Sequence, residues 1–565
     1  MLTKIPRVKI ILLIFITLLS IYFRLYHLSS LPPSLFADEV DAGYQAFTFN
    51  QNRTDYFGHQ LPSHFQSFSD WRTPFYIYSI ALVNKVIGYS DIAVRLPSVI
   101  FGSLIIPVLF LLTGSLIPPI MFAVSPWAIH YGRTGFEVMG MLLVFLLGIL
   151  FWQRFYQSQK KRFLYLSIVF FCLSPYFYST AKLFLILIFF ILLIVFSPQI
   201  KKIGLKTAVY GFLVASLCLL PLIIDTVKGN SGFRFSYINI FTRNRSQSVD
   251  LARYHDILLD QSGQVGVKTP FASFFFHNKF QLIAKQFFEN YISSFSTTFL
   301  VLGGDANPRH GFGGKQGLIY ATDLIFVLVG IYLVIRQKSK FGQLFLWLLL
   351  LAPIPYALTV DSSSPHSTRL ILMLPSIIIL ASEGVKRFFT NPITKIIIVA
   401  LLSFQVISFW HYYLYHYPQD TARYWHTGMK EAVLAAQGSS PGRIIFSDTF
   451  EPFLPFYLYY SKYQLAPKDS VSSRLRQIDT PLFTGKSLDN HAFFGRIAWS
   501  QSFKIPPDLT LVIPKSEYNN LPENYQKQLS IVTHVPAVYV IQEEFLILRP
   551  LSGLIITPLP ADNLL

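Results

Sequence analysis

Long apolar runs with few charged residues recur through the first three quarters of the chain. The first extends from Ile10 to Phe23, and no small-residue cleavage site follows it, so we expect it to remain as a membrane span. A helix needs roughly 17–25 mostly apolar residues to cross a bilayer. Further candidate runs, several of them short or containing proline, are 94–113, 115–130, 136–153, 163–179, 183–197, 206–225, 317–335, 342–360, 368–384 and 394–414. The pattern predicts a multi-pass α-helical membrane protein with about eleven transmembrane helices.

Lysine and arginine are concentrated in alternate connections between these runs. If the N-terminus is inside, the inner connections and their flanks contain no acidic residue. They contain sixteen basic residues: Lys4, Arg7, Lys9, Arg154, Lys160, Lys161, Arg162, Lys201, Lys202, Lys206, Arg336, Lys338, Lys340, Lys386, Arg387 and Lys395. This asymmetry predicts a cytoplasmic N-terminus. If the source is prokaryotic, we expect the protein in the inner membrane. We interpret the apolar segment 74–88 as an interfacial helix, because counting it as a span would invert every later basic loop.

Composition supports a membrane protein. The chain of 565 residues is 52% hydrophobic and only 13% charged, whereas soluble domains carry about 25% charged residues. A single soluble core also stops growing near ~250–300 residues, which excludes one large water-soluble domain. The net charge of +18 is largely accounted for by the inner connections, so no nucleic-acid partner is expected.

The last part of the chain has a different pattern. Short apolar segments such as RIIFSD, AVYVI and EFLILR are typical of strands, and they predict a small external α/β domain over residues 415–565. The preceding chain divides into an N-terminal transmembrane module over 1–225 that includes the external loop 29–93, an external loop with interfacial helices over 226–316, and C-terminal transmembrane helices over 317–414.

Two adjacent carboxylates, Asp38 and Glu39, lie in the sequence FADEVDAGYQAF soon after the first span. Carboxylates on an external loop can supply a general base and a positioning group. The alternative is helix capping, because Asp38 and Asp41 precede a segment that suits a helix N-terminus.

Basic residues recur on the same predicted outer face. Arg72 in WRTP can bind a phosphate at the level of the lipid headgroups, or it can act as an interfacial anchor. Arg133 and Glu137 are four residues apart, which also suits an intrahelical ion pair. Lys182 is a further outer cation, and its alternative role is snorkelling to the interface.

Two later segments add further candidates. The glycine-rich segment 303–317 contains Arg309 and His310 and can wrap a phosphate or a sugar, although it lacks the P-loop pattern and also suits a flexible loop. His366 and Arg369 lie at the outer mouth of a span, where an ion pair of Arg369 with Asp323 is the structural alternative. No His, Cys and Asp cluster has zinc-ligand spacing, so no metal is assigned.

Taken together, the N-terminal motifs resemble those of the GT-C glycosyltransferases. The Asp-Glu loop after the first span, WRTP, VRLPSVIFG and SPWAIHYGRTGFEV are similar to segments of the protein O-mannosyltransferases and of the bacterial aminoarabinose transferases of lipid A, over roughly residues 8–225. The resemblance implies transfer of a sugar, with inversion, from a polyprenyl-phosphate donor on the outer face. The acceptor is then a lipid, glycan or protein hydroxyl.

The resemblance also suggests roles for individual residues. Asp38 matches the family's catalytic aspartate, and Glu39 matches its neighbour. Arg72 stands where the aminoarabinose enzymes have a lysine that contacts the lipid phosphate. Arg133 and Arg369 match in pattern only. The His-Pro-Pro stretch of the mannosyltransferases is replaced here by Arg-Thr-Pro.

The sequence therefore predicts a glycosyltransferase with Asp38 as its base. The predicted donor-phosphate ligands are Arg72, Arg133, Lys182, Arg309 and Arg369, with Glu137, His310 and His366 as further candidates. No cofactor is required, and a divalent cation at Asp38 and Glu39 is compatible with the residues but not implied by them. The alternatives are a polysaccharide polymerase or ligase that uses prenyl-linked sugars, and a carrier or flippase, which needs ionisable groups near the bilayer centre.

Overall fold

A computed structural model describes residues 6–228, 238–241, 246–261, 275–360, 364–439, 442–480, 483–499, 503–505, 509–551 and 554–556. The chain forms two compact units. The first unit comprises Met1–Phe23, Phe101–Gly132 and Glu137–Ile407, and the second comprises Arg24–Ile100, Arg133–Phe136 and Ser408–Leu565. The external loop 29–93, which the sequence places in a module with 1–225, thus belongs to the same unit as the tail.

Helices dominate the chain as far as residue 421. They are α1 (Arg7–Leu25), α2 (Ala37–Asn52), α3 (Pro74–Ile87), α4 (Asp91–Thr113), α5 (Ile117–Val124), α6 (Pro126–Tyr131), α7 (Val138–Ser158), α8 (Lys161–Phe177), α9 (Ala181–Ile200), α10 (Leu205–Val227), α11 (Ser246–Gln261), α12 (Lys279–Ser293), α13 (Ala321–Gln337), α14 (Lys340–Leu351), α15 (Ile354–Ala357), α16 (Met373–Phe388), α17 (Pro392–His411) and α18 (Tyr417–Thr421). Single π-helical turns lie at Thr298–Leu302 and Tyr412–His416.

Seven helices in the described part of the chain are long and apolar enough to cross a membrane: Arg7–Leu25, Asp91–Thr113, Val138–Ser158, Ala181–Ile200, Leu205–Val227, Lys340–Ala357 and Pro392–Thr421. They support the predicted multi-pass architecture, although fewer helices reach this length than the roughly eleven spans expected from the sequence.

The other predicted spans are shorter helices. Helices α8, α13 and α16 have 17, 17 and 16 residues, which at 1.5 Å per residue gives about 25 Å, slightly less than a typical hydrocarbon core. The predicted span 115–130 is divided at Ser125, whose extended backbone separates α5 from α6 just before Pro126. Proline disfavours a helical conformation in the residue that precedes it, which explains the break.

Glycines allow close helix packing in the first unit. A Cβ atom on Gly330 in α13 would lie 1.9 Å from the carbonyl oxygen of Leu380 in α16, and one on Gly384 in α16 would lie 2.2 Å from that of Phe326 in α13. Each backbone therefore approaches the other where a side chain cannot fit. Small residues at such crossings are typical of membrane helix pairs.

The tail contributes a mixed sheet to the second unit. A two-stranded hairpin in the outer loop precedes it, with β1 (Phe65–Gln66) antiparallel to β2 (Trp71–Arg72). The tail strands are β3 (Ile444–Ser447), β4 (Leu475–Asp479), β5 (Phe483–Leu488), β6 (Ala492–Ile497), β7 (Phe503–Ile505), β8 (Thr510–Pro514), β9 (Leu529–Val535), β10 (Phe545–Pro550) and β11 (Leu554–Ile556). The tail helices are α19 (Met429–Ser439), α20 (Leu454–Tyr460), α21 (Val471–Arg474), α22 (Lys515–Asn519) and α23 (Glu523–Gln526).

Seven of these strands form one sheet in the order β4-β5-β6-β3-β8-β10-β9. Strand β3 is parallel to both β6 and β8, and the remaining pairings in the sheet are antiparallel. Buried apolar side chains, including Leu511, Ile513 and Leu548, form a core beside the sheet. This arrangement agrees with the α/β composition predicted for the tail.

Outer-loop residues pack directly against tail residues within the second unit. The Tyr44 hydroxyl donates to the backbone oxygen of Tyr463 at 3.0 Å. A Cβ atom on Gly43 would lie 2.4 Å from the ring of Tyr459, so this tyrosine fits against the bare face of α2. These contacts explain why the outer loop and the tail form one compact unit. Helix α3 spans most of the predicted interfacial segment 74–88.

Candidate active site

The predicted carboxylate pair lies in the first turn of α2, where its two members have different surroundings. The side chain of Asp38 is 55% exposed, whereas that of Glu39 is fully buried. Glu39 Oε2 accepts a hydrogen bond from the backbone N–H of Phe36 at 3.3 Å, so Glu39 is the carboxylate that caps the helix. The capping role considered for Asp38 therefore belongs to its neighbour, and Asp38 remains accessible to a substrate.

Asp38 faces a guanidinium group that also binds a second carboxylate. Arg72 lies in the β1–β2 hairpin, and its Nη2 donates to Asp38 Oδ1 at 2.7 Å. Its Nε donates to Oδ2 of the buried Asp41. The other carboxylate oxygen of Asp41 accepts from the hydroxyl of Tyr56 at 2.6 Å. Tyr56, Asp41, Arg72 and Asp38 thus form a continuous chain from a buried tyrosine to a half-exposed carboxylate.

Burial and charge act in opposite directions on Asp41. Desolvation raises the pKa of the Asp41 carboxyl above its ordinary value, and the charge of Arg72 together with the hydrogen bond from Tyr56 partly offsets that rise. Burial, reinforced by the charge of Asp41, holds the pKa of the Tyr56 hydroxyl well above its ordinary value. Tyr56 therefore stays protonated and is a hydrogen-bond donor to Asp41.

Glu39 forms a buried ion pair with Arg95, which was not among the predicted site residues. Arg95 Nε and Nη2 donate to the two oxygens of Glu39, each at 2.9 Å. Nη1 donates to the carbonyl oxygens of Leu28 at 3.1 Å and Pro32 at 2.9 Å, and Nη2 also donates to that of Ser34. Every N–H group of this guanidinium is used. Arg95 and Glu39 therefore hold the segment that leads into α2.

A second buried arginine fastens the same segment. Arg133 donates to the carbonyl oxygens of Arg24 at 3.2 Å, Tyr26 at 2.6 Å and Leu31 at 3.0 Å. Beside it, the backbone N–H of Gly135 donates to Glu39 Oε1 at 2.5 Å. A Cβ atom on Gly135 would lie 2.9 Å from the Glu39 side chain, so this approach requires glycine.

Arg133 and Glu137 do not share a helix face, contrary to the expectation from their spacing. Residues 132–137 lie outside any helix, and helix α7 begins only at Val138. Within this stretch the backbone N–H of Gly135 donates to the Glu39 carboxylate instead of to a helical carbonyl.

The first unit brings together other candidates. The buried carboxylate of Asp305 accepts from the backbone N–H of Ser367 at 2.9 Å and from its hydroxyl at 3.0 Å. The hydroxyls of Ser367 and Tyr131 lie 2.6 Å apart, and both lie within hydrogen-bond distance of the carbonyl oxygen of His310. Desolvation raises the pKa of the Asp305 carboxyl to about 6. Asp305 thus joins the glycine-rich segment to the stretch that contains His366.

Two histidines meet where these segments join. The imidazole rings of His310 and His366 have centroids 4.4 Å apart. Arg369 donates to the hydroxyl of Thr359 at 3.0 Å and interacts electrostatically with Asp305. The carbonyl oxygen of Arg309 lies 2.9 Å from His130 Nε2. The predicted candidates Arg309, His310, His366 and Arg369 therefore belong to one local cluster.

The glycine-rich segment is compact rather than an open loop. A Cβ atom on Gly311 would lie 2.8 Å from Asp305, and one on Gly317 would lie 2.1 Å from the backbone of Val301.

The remaining candidates are placed elsewhere in the first unit. Lys182 lies in the first turn of α9 and interacts electrostatically with Asp225. Asp323, the alternative partner for Arg369, accepts instead from the backbone N–H of Tyr320 at 3.1 Å.

Sequence reasoning missed Arg95, Asp41 and Asp305 as site residues. One signal for Arg95 was present, because a charged residue in an apolar span indicates a buried partner. Asp41 was considered only as a cap, since its partner Arg72 is 31 residues away. Asp305 carried no local signal, because its partner Ser367 is 62 residues away.

The donor set at Asp38 and Glu39 does not suit a divalent cation. Both oxygens of Glu39 accept from Arg95, and Asp38 faces Arg72, so positive charge already occupies the positions that a cation requires. In the described ranges, no three His, Cys, Asp or Glu side chains converge as a metal site.

Comparisons with known proteins identify the fold. No family model and no curated protein matches the sequence. The structure of ArnT from Cupriavidus metallidurans bound to undecaprenyl phosphate is similar, with a TM-score of 0.51 and 11% identity over 97% of this chain and 100% of that one. The oligosaccharyltransferase AglB from Archaeoglobus fulgidus, in complex with an inhibitory peptide and a dolichol-phosphate, gives a TM-score of 0.45 and 12% identity over 82% of this chain. The chain spans 64% of the length of AglB.

The likeness to ArnT confirms the predicted fold class, a multi-pass helical membrane protein with a C-terminal sheet domain.

Proposed function

We propose that the chain is a membrane glycosyltransferase that moves a sugar from a polyprenyl-phosphate donor to an acceptor hydroxyl on the outer face. The observation that carries the proposal is the pairing of the half-exposed Asp38 with Arg72 at the start of α2. The carboxylate supplies a negative charge that can accept a proton, and the guanidinium supplies a positive charge that can stabilise the departing phosphate. The GT-C fold is consistent with this chemistry.

The proposed reaction is a displacement at the anomeric carbon of the donor sugar. Asp38 accepts the proton of the acceptor hydroxyl, and the hydroxyl oxygen forms the new bond to the anomeric carbon. The bond to the phosphate oxygen breaks, and the phosphate leaves with the electron pair. Arg72 stabilises the departing charge through charge-assisted hydrogen bonds. A single displacement inverts the anomeric configuration.

The other candidates divide by their surroundings. Arg309 and Arg369, with His310 and His366 beside them, remain our candidates for contact with the donor phosphate, as does Lys182. Arg133 and Glu39 are buried, and each is held by several hydrogen bonds to other protein groups. We therefore assign both of them to positioning the segment that carries Asp38.

An assay with a panel of prenyl-phosphate sugars tests the proposed function. We expect transfer from at least one donor to a hydroxyl acceptor, with inversion visible by NMR of the product. Movement of intact lipid-linked sugar across vesicles without any transfer would instead identify a carrier and contradict the proposal.

Replacing Arg72 tests the donor site. Arg72→Ala should weaken binding of undecaprenyl phosphate by about 1.5–3 kcal/mol, because a hydrogen bond to a charged group is lost. Arg72→Lys should recover part of the affinity, since it keeps the charge but loses the planar fork. Isothermal titration of the purified protein measures both effects.

The control for Arg72 is Arg474→Ala, which removes a more exposed arginine that also pairs with two aspartates, Asp469 and Asp489. It should leave the affinity unchanged. Equal affinity of Arg72→Ala and wild type would mean that the phosphate binds elsewhere.

The proposed topology places the tail outside and the connection at 154–162 inside. A cysteine introduced at the exposed Asn524 of the tail should react with an impermeant maleimide in intact cells, whereas one at Lys160 should react only after the membrane is opened. The native Cys172 and Cys218 are replaced first. The reverse labelling pattern would place the carboxylates on the wrong side of the membrane for an outer-face donor.

A further inference from the structure

We infer that Asp41 and Tyr56 are positioning residues that hold Arg72 in place for Asp38 and for the donor phosphate. The inference rests on the proposed function and extends it to two residues that do not contact the reacting groups. Its basis is the continuous chain of contacts from Tyr56 through Asp41 to Arg72.

The geometry shows how the guanidinium is oriented. Arg72 directs its Nε towards Asp41 and its Nη2 towards Asp38, so the two carboxylates bind two adjacent donors of one planar group. The Asp41 side chain is only 5% exposed, compared with 55% for Asp38. The buried contact is therefore the anchor, and the exposed contact is the one that a substrate can replace.

The energetics also favour Asp41 as the anchor of Arg72 and Asp38 as the exchangeable contact. An ion pair between exposed side chains gains little, because water screens it and two flexible side chains must be ordered. A buried carboxylate has lost its hydration and needs hydrogen-bond donors, which Arg72 and Tyr56 provide. Asp41 thus fixes the rotamer of Arg72 more firmly than Asp38 does.

Tyr56 is itself held rigidly. Its side chain is fully buried and stacks on Phe68, with ring centroids 5.2 Å apart. The adjacent Asp55 accepts from the backbone N–H groups of Phe57, His59 and Gln66. Gln66 in turn pairs with Trp71, the neighbour of Arg72 in the hairpin. The loop therefore connects both ends of the Asp41–Arg72 contact to one ordered framework.

Binding of undecaprenyl phosphate to the purified full-length protein tests the inference. Asp41→Asn should weaken binding by about tenfold, because Arg72 loses its charged anchor. Tyr56→Phe should weaken it by about threefold, because Asp41 loses a donor while the packing is kept. The matched control is Tyr78→Phe, which removes a hydroxyl that donates to the backbone oxygen of Pro62 at the same 2.6 Å. It should bind as wild type does.

A double substitution separates positioning from general destabilisation. If Asp41 acts through Arg72, Arg72→Ala with Asp41→Asn should bind no more weakly than Arg72→Ala alone. Full additivity would show that Asp41 acts otherwise and would overturn the inference, as would normal affinity of Asp41→Asn. If wild type itself fails to bind the lipid, the donor site and this inference fall together. If wild type binds and Asp41→Asn equals it, only the inference fails.

Discussion

Asp38→Asn should fold and insert normally, bind donor, and lose at least about a hundredfold in turnover, since general-base catalysis typically contributes about 10²–10⁴-fold. Asparagine keeps the size and polarity of the side chain, but it cannot accept the acceptor proton. The ion pair with Arg72 that is lost is half-exposed, and such pairs contribute only about 0–1 kcal/mol to stability. We therefore expect the large loss of turnover without a matching loss of stability.

Turnover and thermal unfolding, measured on the same preparations, distinguish a catalytic role of Asp38 from a structural one. The matched control is Asp469→Asn, which removes a carboxylate from another partly exposed pair with arginine, Asp469–Arg474 in the tail. It should retain full turnover. An active Asp38→Asn enzyme would remove Asp38 as the base, and an inactive enzyme with a greatly lowered unfolding temperature would indicate a structural role.

Arg95→Ala should destabilise the protein by about 3–5 kcal/mol, because it leaves the buried Glu39 without its charged partner. The same change removes hydrogen bonds to three backbone carbonyls before α2. Turnover should fall as well, because the segment that carries Asp38 loses its support. Thermal unfolding in detergent at fixed pH measures the stability effect.

Two further variants test the physical cause. Adding Glu39→Gln to Arg95→Ala should restore part of the lost stability, because no uncompensated charge then remains buried. The control is Lys430→Ala, which breaks a partly exposed ion pair with Asp91, a residue of the same helix as Arg95. This change should lower the free energy of unfolding by no more than about 1 kcal/mol. A small effect of Arg95→Ala would show that the Glu39–Arg95 pair is dispensable.

The two adjacent carboxylates show how far local reasoning reaches. Their neighbourhood, an acidic pair at the start of a polar helix after an apolar span, is readable from the sequence. The different roles of Asp38 and Glu39 cannot be predicted from the sequence, because they depend on which face of the helix is buried. Asp38 points to a hairpin 34 residues away, and Glu39 points to a helix 56 residues away.

The glycine-rich segment shows the same limit from another direction. Its composition suits an open, flexible loop, and its cations and His310 stand out in the sequence. Its compactness depends on Asp305 and Ser367, which are 62 residues apart, and on glycines that meet backbone atoms. Composition indicates how flexible the backbone of a segment can be, whereas tertiary contacts determine whether the segment is ordered.

The membrane class, most of the long helices, the α/β character of the tail and the charged candidate residues can all be predicted from the sequence. These properties follow from composition and from periodicity within single elements, which neighbouring residues set. Three features became visible only in the folded chain: Arg72 bridges Asp38 and Asp41, Arg95 pairs with the buried Glu39, and the outer loop packs against the tail. Each of these depends on partners that are distant along the chain, and desolvation and geometry at the contact select the pair that forms.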